Sequence, residues 1–324
     1  MSSRISENKI VLIKRKTRLE ELVVRYNTIQ QAQFYIERLG ADFSDYVSED
    51  YTYRKAVETA VIELGALGRV QLLERQHVPN FIFGDEDTVV VLGQDGLVAN
   101  TLKYLREQPL IGVNPDPQRW DGVLLPFTVR DLRQLLPEVF RGQRKVREVT
   151  LAKAELNDGQ SLYGVNDLFI GRRTHVSARY QLELAGVSEQ QSSSGIIIST
   201  GMGSTGWFKS VLAGAAGIVR SAAGMQGAGT EADSRGLAEG GMNTPLAWDH
   251  PELYFTVREP FPSRTTSAGV VFGRISGSHP LQITSQMPED GVIFSDGVES
   301  DFLEFNSGVK ATIGLAERKG RLVE

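Results

Sequence analysis

The stretch DTVVVLGQDGLVANTLKYL, residues 87–105, decides the fold. Residues 88–92 form a short, β-branched apolar run, which is typical of one buried strand and too short for a helix. The tetrapeptide Gly93-Gln94-Asp95-Gly96 interrupts this run, and leucines at helical spacing follow it. The stretch therefore predicts a strand, a tight turn and a helix. Such a turn directs backbone N–H groups and the positive end of the helix dipole toward a ligand above the sheet, which favours an anion.

Asp95 is the only acid in this turn, and the flanking glycines would let a ligand approach the backbone closely. On this stretch alone a second interpretation stays open, namely an ordinary strand-to-helix connection with a polar tip, because short glycine motifs occur often by chance.

Strand patterns alternate with helical patterns on both sides of this stretch. Strands are predicted at residues 10–13, 70–73, 88–92, 110–113 and 124–127, and helices at residues 17–39, 53–67 and 129–140. This alternation predicts an α/β domain with a Rossmann-like, mostly parallel sheet and right-handed crossovers. We place this domain at residues 1–145.

The pattern changes after Arg141 to short alternating strands separated by turn signals. These strands are predicted at residues 146–156, 164–171, 175–184, 195–200, 254–257, 269–272, 281–285, 291–295 and 309–315. We therefore expect a β-rich domain of mainly antiparallel strands over residues 146–324. Within it, residues 213–241 are rich in Gly, Ala and Ser, which predicts a mobile loop, although residues 207–219 also fit a helix.

The composition limits the classes of function. The chain has 324 residues, of which 41% are hydrophobic and 23% charged, and this predicts two domains or one large one. Its net charge of −5 argues against a nucleic-acid-binding protein. No run of about 18 apolar residues predicts a membrane span, and the first residues lack the features of a signal peptide. The absence of cysteine excludes disulfides and thiolate catalysis and agrees with a cytoplasmic location, which we expect.

Four histidines show no paired spacing of metal ligands, so we predict no protein-held metal site.

A second motif, SSSGIIISTGMGSTGWFKS at residues 192–210, repeats the order of the first. An apolar strand leads into Gly203-Ser204-Thr205-Gly206, and a helix is predicted to begin near Trp207. Hydroxyls and backbone N–H groups at a helix start can hold phosphate or ribose hydroxyls. The alternative is simple Ser/Thr capping of an ordinary helix.

Together the two motifs resemble those of the NAD kinase family, which carries GGDG in an α/β domain and a TPxGSTAY-like motif in a β-rich domain. Three further segments agree in order and spacing: the strand and loop at residues 111–127, the pair Asn166-Asp167 in YGVNDLFIG, and FSDGVESDFLEF at residues 294–305. The resemblance covers roughly residues 85–323. The amino-acid sequence of segments such as VNPDP is similar to that of the mitochondrial type of NAD kinase.

The resemblance implies transfer of the γ-phosphoryl of ATP, or in some members of polyphosphate, to the 2′-hydroxyl of the adenosine ribose of NAD, giving NADP. It implies that NAD is a substrate and that Mg²⁺ arrives with the ATP phosphates. It also implies a homo-oligomer, at least a dimer, that pairs through the β-rich domains, and a tail that can return to the first domain. Partners other than small-molecule nucleotides and the second copy are not expected.

The resemblance also assigns roles to individual residues. Asp95 would contact the acceptor hydroxyl as base or orienting group, and Asn166 with Asp167 would hold ribose hydroxyls. The nucleotide-binding residues implied in this way are Gly93, Gln94, Gly96, Asn166, Asp167, Gly203, Ser204, Thr205, Gly206, Trp207 and Asp296. Trp207 stands where the family usually has tyrosine, and its alternative is a core tryptophan. The alternative for Asp296 is a hairpin residue.

Gln94 stands where the family has its second glycine, and this departure keeps a second class of function open. The first class is an active NAD kinase. The second is a dinucleotide-binding protein without catalysis, or a kinase of another nucleotide or a sugar-like alcohol.

Overall fold

The computed structural model describes residues 5–222 and 246–324. The chain divides into two compact units, the first made of Met1–Arg147 with Arg321–Glu324 and the second of Glu148–Gly320. Among the described residues, no helix is long and apolar enough to span a membrane.

The first unit alternates strands and helices, as the sequence pattern predicts. Its elements are β1 (Lys9–Lys14), α1 (Arg18–Tyr26), α2 (Ile29–Arg38), α3 (Phe43–Leu67), β2 (Arg69–Glu74), β3 (Thr88–Leu92), α4 (Asp95–Leu102), β4 (Leu110–Asn114), β5 (Phe127–Thr128) and α5 (Leu132–Phe140). Strands β2, β1, β3, β4 and β5 pair in this order and all in parallel. Leu322, near the end of the chain, also pairs in parallel with Leu110 of β4.

Helices α3 and α5 pack on the apolar face of this sheet. On α3 the buried residues recur every three or four positions: Tyr53, Ala56, Ala60, Leu64 and Leu67. The Tyr53 hydroxyl donates to the Leu92 carbonyl at 2.7 Å and accepts the Arg15 N–H at 2.9 Å. Burial raises the pKa of Tyr53 to about 12, so the hydroxyl keeps its proton and anchors the end of β3.

The predicted single helix over residues 17–39 is wrong, because two helices occupy this segment. Asn27 adopts a left-handed conformation with φ 66°, and Thr28 caps α2 by accepting the Gln31 N–H at 3.1 Å. The helical spacing of apolar residues continues across the break between α1 and α2, so the spacing does not indicate the break. The Asn-Thr pair is the local sequence feature that indicates it. The helix predicted over residues 53–67 begins ten residues earlier, at Phe43, where Asp42 caps it.

The second unit is β-rich, as predicted. Its elements are β6 (Val146–Leu156), β7 (Ser161–Gly164), β8 (Asp167–Arg172), β9 (Ala178–Leu184), β10 (Val187–Ser193), β11 (Ile196–Ser199), α6 (Trp207–Ala222), β12 (Leu253–Val257), β13 (Phe272–Ile275), β14 (Leu281–Ser285), β15 (Gly291–Ser295), β16 (Val298–Glu304) and β17 (Lys310–Val323). An antiparallel sheet has the order β13-β12-β11-β8-β15-β16. Strands β10, β9, β14 and β17 form a second antiparallel array to which β6 and β7 are attached.

The core of this unit consists of alternate residues of the strands, such as Leu168 and Ile170 on β8 and Ile196 and Ile198 on β11. Strands β7, β10 and β16 were not predicted, and β13 lies three residues after its predicted position. The sequence of β10, VSEQQSS, lacks apolar alternation, and pairing with β9 across a two-residue turn fixes it as a strand.

In the first part of the predicted loop at residues 213–241 the alternative interpretation as a helix over residues 207–219 is correct, and α6 continues to Ala222. Residues 223–241 lie outside the described residues.

Candidate functional site

The first part of the site is the turn between β3 and α4. Gln94 is the last non-helical residue, with φ −100° and ψ 162°, and its carbonyl accepts the Leu97 N–H at 2.9 Å. Its side chain is half-buried and makes no capping hydrogen bond. Asp95 is the first residue of α4, so its carboxylate lies at the positive end of the helix.

The two glycines of this turn differ in the space around them. A Cβ atom on Gly93 would lie 2.8 Å from the Leu97 Cδ2 atom, so a larger residue here would require the Leu97 side chain to shift. A Cβ atom on Gly96 would meet nothing within 4 Å, because this residue is exposed. Gly96 thus leaves open space above the helix start, where a ligand can reach the backbone.

The loop that follows β4 fixes the carboxylate of Asp95. Its Oδ1 atom accepts the Leu124 N–H at 2.8 Å. Leu124 is itself held close to β4, since a Cβ atom on Gly112 would lie 1.9 Å from the Leu124 carbonyl oxygen. One carboxylate oxygen therefore sets the orientation, and Oδ2 accepts no hydrogen bond from the residues that the structure describes.

The second part of the site lies in the second unit around Asp296. This residue forms a hairpin turn with Gly297 between β15 and β16, with φ 53° and 69° respectively. Its carboxylate accepts the N–H groups of Val165 at 3.0 Å, of Asn166 at 2.6 Å and of Asp167 at 3.3 Å. In the structure Asp296 thus shapes the chain at residues 165–167, a role that the sequence alone did not suggest.

Asp167 begins β8 and is buried, with 9% of its surface exposed. Burial, and secondly the nearby charge of Asp296, raise the pKa of its carboxyl to about 7. Among the residues that the structure describes, its side chain has no hydrogen-bonding partner. A buried carboxyl with a strongly shifted pKa and no protein partner is typical of a functional site.

The turn after β11 packs directly on Asn166. The buried Thr200 hydroxyl donates to the Val165 carbonyl at 2.6 Å and accepts the Gly203 N–H at 3.1 Å. A Cβ atom on Gly203 would lie 1.9 Å from the Asn166 carbonyl oxygen. The role of Thr200 was missed from the sequence, where it is one of several adjacent hydroxyl residues.

Among the other residues of this turn, one stabilises the turn and two are exposed. The Ser204 hydroxyl donates to the Gly201 carbonyl at 2.7 Å and accepts the Leu246 N–H at 3.2 Å, so it stabilises the turn. Thr205 and Gly206 are exposed, and their accessible groups are the ones that a ligand could contact.

Trp207 is half-buried at the start of α6. Its ring stacks on Phe169 with centroids 5.8 Å apart, and the Arg258 guanidinium lies 5.4 Å from its centroid. The packing against Phe169 supports the core interpretation for part of the ring. The rest of the ring stays accessible.

Substitution of Gly203 with alanine is expected to destabilise the second unit by about 2 kcal/mol or more, because the new Cβ atom collides with the Asn166 carbonyl. Thermal unfolding measures the change. Gly217→Ala is the matched control, since it lies within α6 with open space around it and should stabilise the helix by up to about 1 kcal/mol. Equal melting temperatures for the wild type and Gly203→Ala would contradict the packing argument.

The structure thus brings Asn166, Asp167, Gly203 and Asp296 together within the second unit, and holds Gly93 to Gly96 as one turn in the first. That Asp95 and the residues of the second unit contact one dinucleotide stays a prediction.

Two curated proteins are similar to the chain over most of its length. Both are named NAD kinase 2, mitochondrial, one from Rattus norvegicus and one from Homo sapiens, and each is 25% identical over 321 residues. The alignments cover 81% of this chain and 75% and 72% of the two relatives. No family model matches the chain.

The chain is similar in sequence to NAD kinases. The resemblance predicted from the GQDG and GSTGW motifs is thereby confirmed. Members of this family are transferases, so the prediction of a kinase-like enzyme is also confirmed. Both curated names include the word mitochondrial, and the cytoplasmic location expected from the sequence stays a prediction.

Solved NAD kinase structures have a similar fold. An NAD kinase from Archaeoglobus fulgidus in complex with ATP gives a TM-score of 0.56 at 16% identity, covering 98% of this chain and 93% of that one. Yeast NADH kinase complexed with NADH gives a TM-score of 0.55 at 15% identity, covering 98% and 84%. At these identities the likeness concerns the fold, and it confirms the predicted NAD kinase-like architecture.

Proposed function

We propose that this protein is an NAD kinase, which transfers a terminal phosphoryl group from ATP or polyphosphate to the 2′-hydroxyl of the adenosine ribose of NAD or NADH. The observation that carries the proposal is Asp95, a carboxylate at a helix start with one oxygen fixed by the Leu124 N–H and the other available. The kinase relatives and the NAD kinase fold support it.

The reaction requires a group such as Asp95 because a ribose hydroxyl is a weak acid. Phosphoryl transfer proceeds through a loose transition state, so the enzyme contributes mainly positioning and neutralisation of charge. In this proposal the Asp95 Oδ2 atom accepts the hydrogen bond of the acceptor hydroxyl and takes its proton late in the transfer. The fixed Oδ1 atom keeps the carboxylate in position.

The residues of the second unit would hold the dinucleotide. Asn166 offers a half-buried amide, and Asp167 offers a buried carboxyl that is not hydrogen-bonded to any residue that the structure describes. Ribose hydroxyls can donate to one group and accept from the other. In this proposal Asp296 keeps both residues in place through their N–H groups, and the exposed Thr205 and Gly206 contact the adenine.

Magnesium would be bound by the nucleotide phosphates. In residues 5–222 and 246–324 no group of three or more His, Cys, Asp or Glu side chains is arranged as a metal site. Mg²⁺ commonly keeps several waters and binds substrate phosphates with few protein ligands. When bound, the ion would neutralise charge on the transferred phosphate.

The test is a matrix of reactions with Mg²⁺, in which NAD or NADH is combined with ATP or polyphosphate and NADP or NADPH is measured. Product in any combination that forms much more slowly in Asp95→Asn supports the proposal and identifies the donor and the acceptor. Dinucleotide binding without product in all four combinations would instead support the non-catalytic alternative.

The Gln94→Gly variant tests how the altered glycine motif handles the donor. The Gln94 side chain makes no capping bond, so its removal should leave the turn intact. If the side chain obstructs phosphate, ATP-dependent turnover should rise several-fold, because the backbone becomes accessible. If it binds the donor, the KM of that donor should rise instead. Unchanged kinetics with both donors would show that Gln94 has no role in donor handling.

We also propose a homo-oligomer, at least a dimer. Light scattering at micromolar concentration should give a mass of twice 35.7 kDa or more, and a mass equal to that of one chain would refute it.

A further inference from the structure

A cavity of about 200 Å³ lies within the second unit, beside the start of α6. The aromatic rings of Phe169, Phe294 and Trp207 form its apolar part. Arg172, Arg173 and Arg258 also line it. Pockets for whole small molecules usually measure about 300–1,000 Å³, so this cavity suits one end group of a ligand.

Aromatic rings hold two of the three guanidinium groups. The Arg258 guanidinium lies 5.4 Å from the Trp207 ring centroid, and the Arg173 guanidinium lies 4.0 Å from the Phe302 centroid. Contacts of this kind fix the planar group and leave its N–H donors unused. The two donor sets are thus preorganised at little entropic cost.

The charges around the cavity are predominantly positive. Glu299 is the one acid among its lining residues, and it is exposed. Arg172 lies 3.6 Å from both Glu289 and Asp290, while its buried Nε atom has no hydrogen-bonding partner among the described residues. In the part of the chain that the structure describes, neither Arg173 nor Arg258 has a carboxylate within 4.0 Å.

We propose that this arginine pocket binds the phosphate group of a small phosphorylated ligand. Guanidinium groups match the oxygens of phosphate in geometry and charge. The apolar rings around them exclude water, which strengthens the electrostatic attraction. A phosphate carries two negative charges, and the Arg173 and Arg258 guanidinium groups can both bind it.

Trp207, which the resemblance places among the nucleotide-binding residues, also lines the arginine pocket, but Arg172 of this pocket lies far from Asp167 of the proposed dinucleotide site. Asp167 begins β8 and Arg172 ends it, so the two are about 16 Å apart along the strand. The proposal therefore goes beyond the proposed function, in which none of the three arginines has a role.

The test measures binding of inorganic pyrophosphate and of ribose 5-phosphate to the full chain by calorimetry, with tryptophan fluorescence as a second readout. These probes distinguish an inorganic phosphate chain from a sugar phosphate. Arg173→Met and Arg258→Met should each weaken binding of the preferred probe about tenfold, which corresponds to the loss of one charge-assisted contact. Arg264→Met is the control, because this exposed arginine does not line the cavity. The Arg264→Met variant should bind the probe with the affinity of the wild type.

Several outcomes would overturn the proposal. Equal affinity of the probe for the wild type and both pocket variants would overturn it. Binding that disappears only in Gln94→Ala would also overturn it, because the probe would then bind at the turn after β3. Absence of binding of both probes at millimolar concentration would also refute it. Arg173 is exposed, so its variant should fold, and thermal unfolding verifies this. Formation of NADP or NADPH is measured separately and reports only on the proposed function.

Discussion

Substitution of Asp95 with asparagine is expected to lower turnover by about a hundredfold or more and to leave dinucleotide affinity within a few-fold. The asparagine Oδ1 atom can still accept the Leu124 N–H, so the loop after β4 keeps its contact. What is lost is the negative charge and the ability to take a proton. Steady-state kinetics measure kcat, and calorimetry measures dinucleotide binding.

Two further variants separate chemistry from structure. Asp95→Ala also removes the acceptor for Leu124, so it should lower the melting temperature as well as turnover, whereas Asp95→Asn should affect turnover alone. Glu86→Gln is the matched control, because it removes one negative charge from an exposed residue of the same unit. Unaltered turnover in Asp95→Asn would exclude Asp95 from the mechanism and remove the main support of the proposed function.

Substitution of Asp167 with asparagine is expected to stabilise the protein at neutral and alkaline pH. The pKa of Asp167 rises from 3.8 to about 7 on folding, so the folded state binds more protons than the unfolded state between these values. The free energy of unfolding of the wild type therefore falls as the pH rises from about 4 to about 7. The neutral asparagine avoids this cost, which amounts to about 4 kcal/mol above pH 7.

Urea unfolding of the wild type and of Asp167→Asn at pH 4, 6 and 8 measures this difference. The stabilisation should be near zero at pH 4, intermediate at pH 6 and largest at pH 8. Asp158→Asn is a control of opposite sign, because hydrogen bonds from Gln160 hold the pKa of the Asp158 carboxyl below its usual value. That variant should lose stability above pH 4. A pH-independent effect of Asp167→Asn would show that folding does not raise the pKa of Asp167.

Local patterns in the sequence predicted the elements of the site well. The β-branched run of β3, the turn at Gly93 and the following helix lie where the pattern placed them. The strand and turn before Trp207 agree in the same way. These elements could be predicted because periodicity and glycine positions act over a few neighbouring residues.

Contacts between distant residues could not be predicted in this way. The Asp296 carboxylate binds N–H groups about 130 residues away in the sequence, and the Leu124 N–H binds Asp95 across 29 positions. Neither contact can be recognised from the sequence pattern around the residues that make it. The hydroxyl of Thr200 is a third example, because only the fold distinguishes it from the neighbouring Ser199.

The division of the chain at Arg147 and Arg321 has a consequence for the order of folding on the ribosome. The second unit, Glu148–Gly320, is one continuous segment, so it can fold as soon as it has emerged. The first unit also needs Arg321–Glu324, where Leu322 pairs with Leu110 and Glu324 forms an ion pair with Lys145 at 2.9 Å. The unit that begins to emerge first is therefore completed last. The edge of β4 near Leu110 cannot pair with Leu322 until the whole second unit has been synthesised.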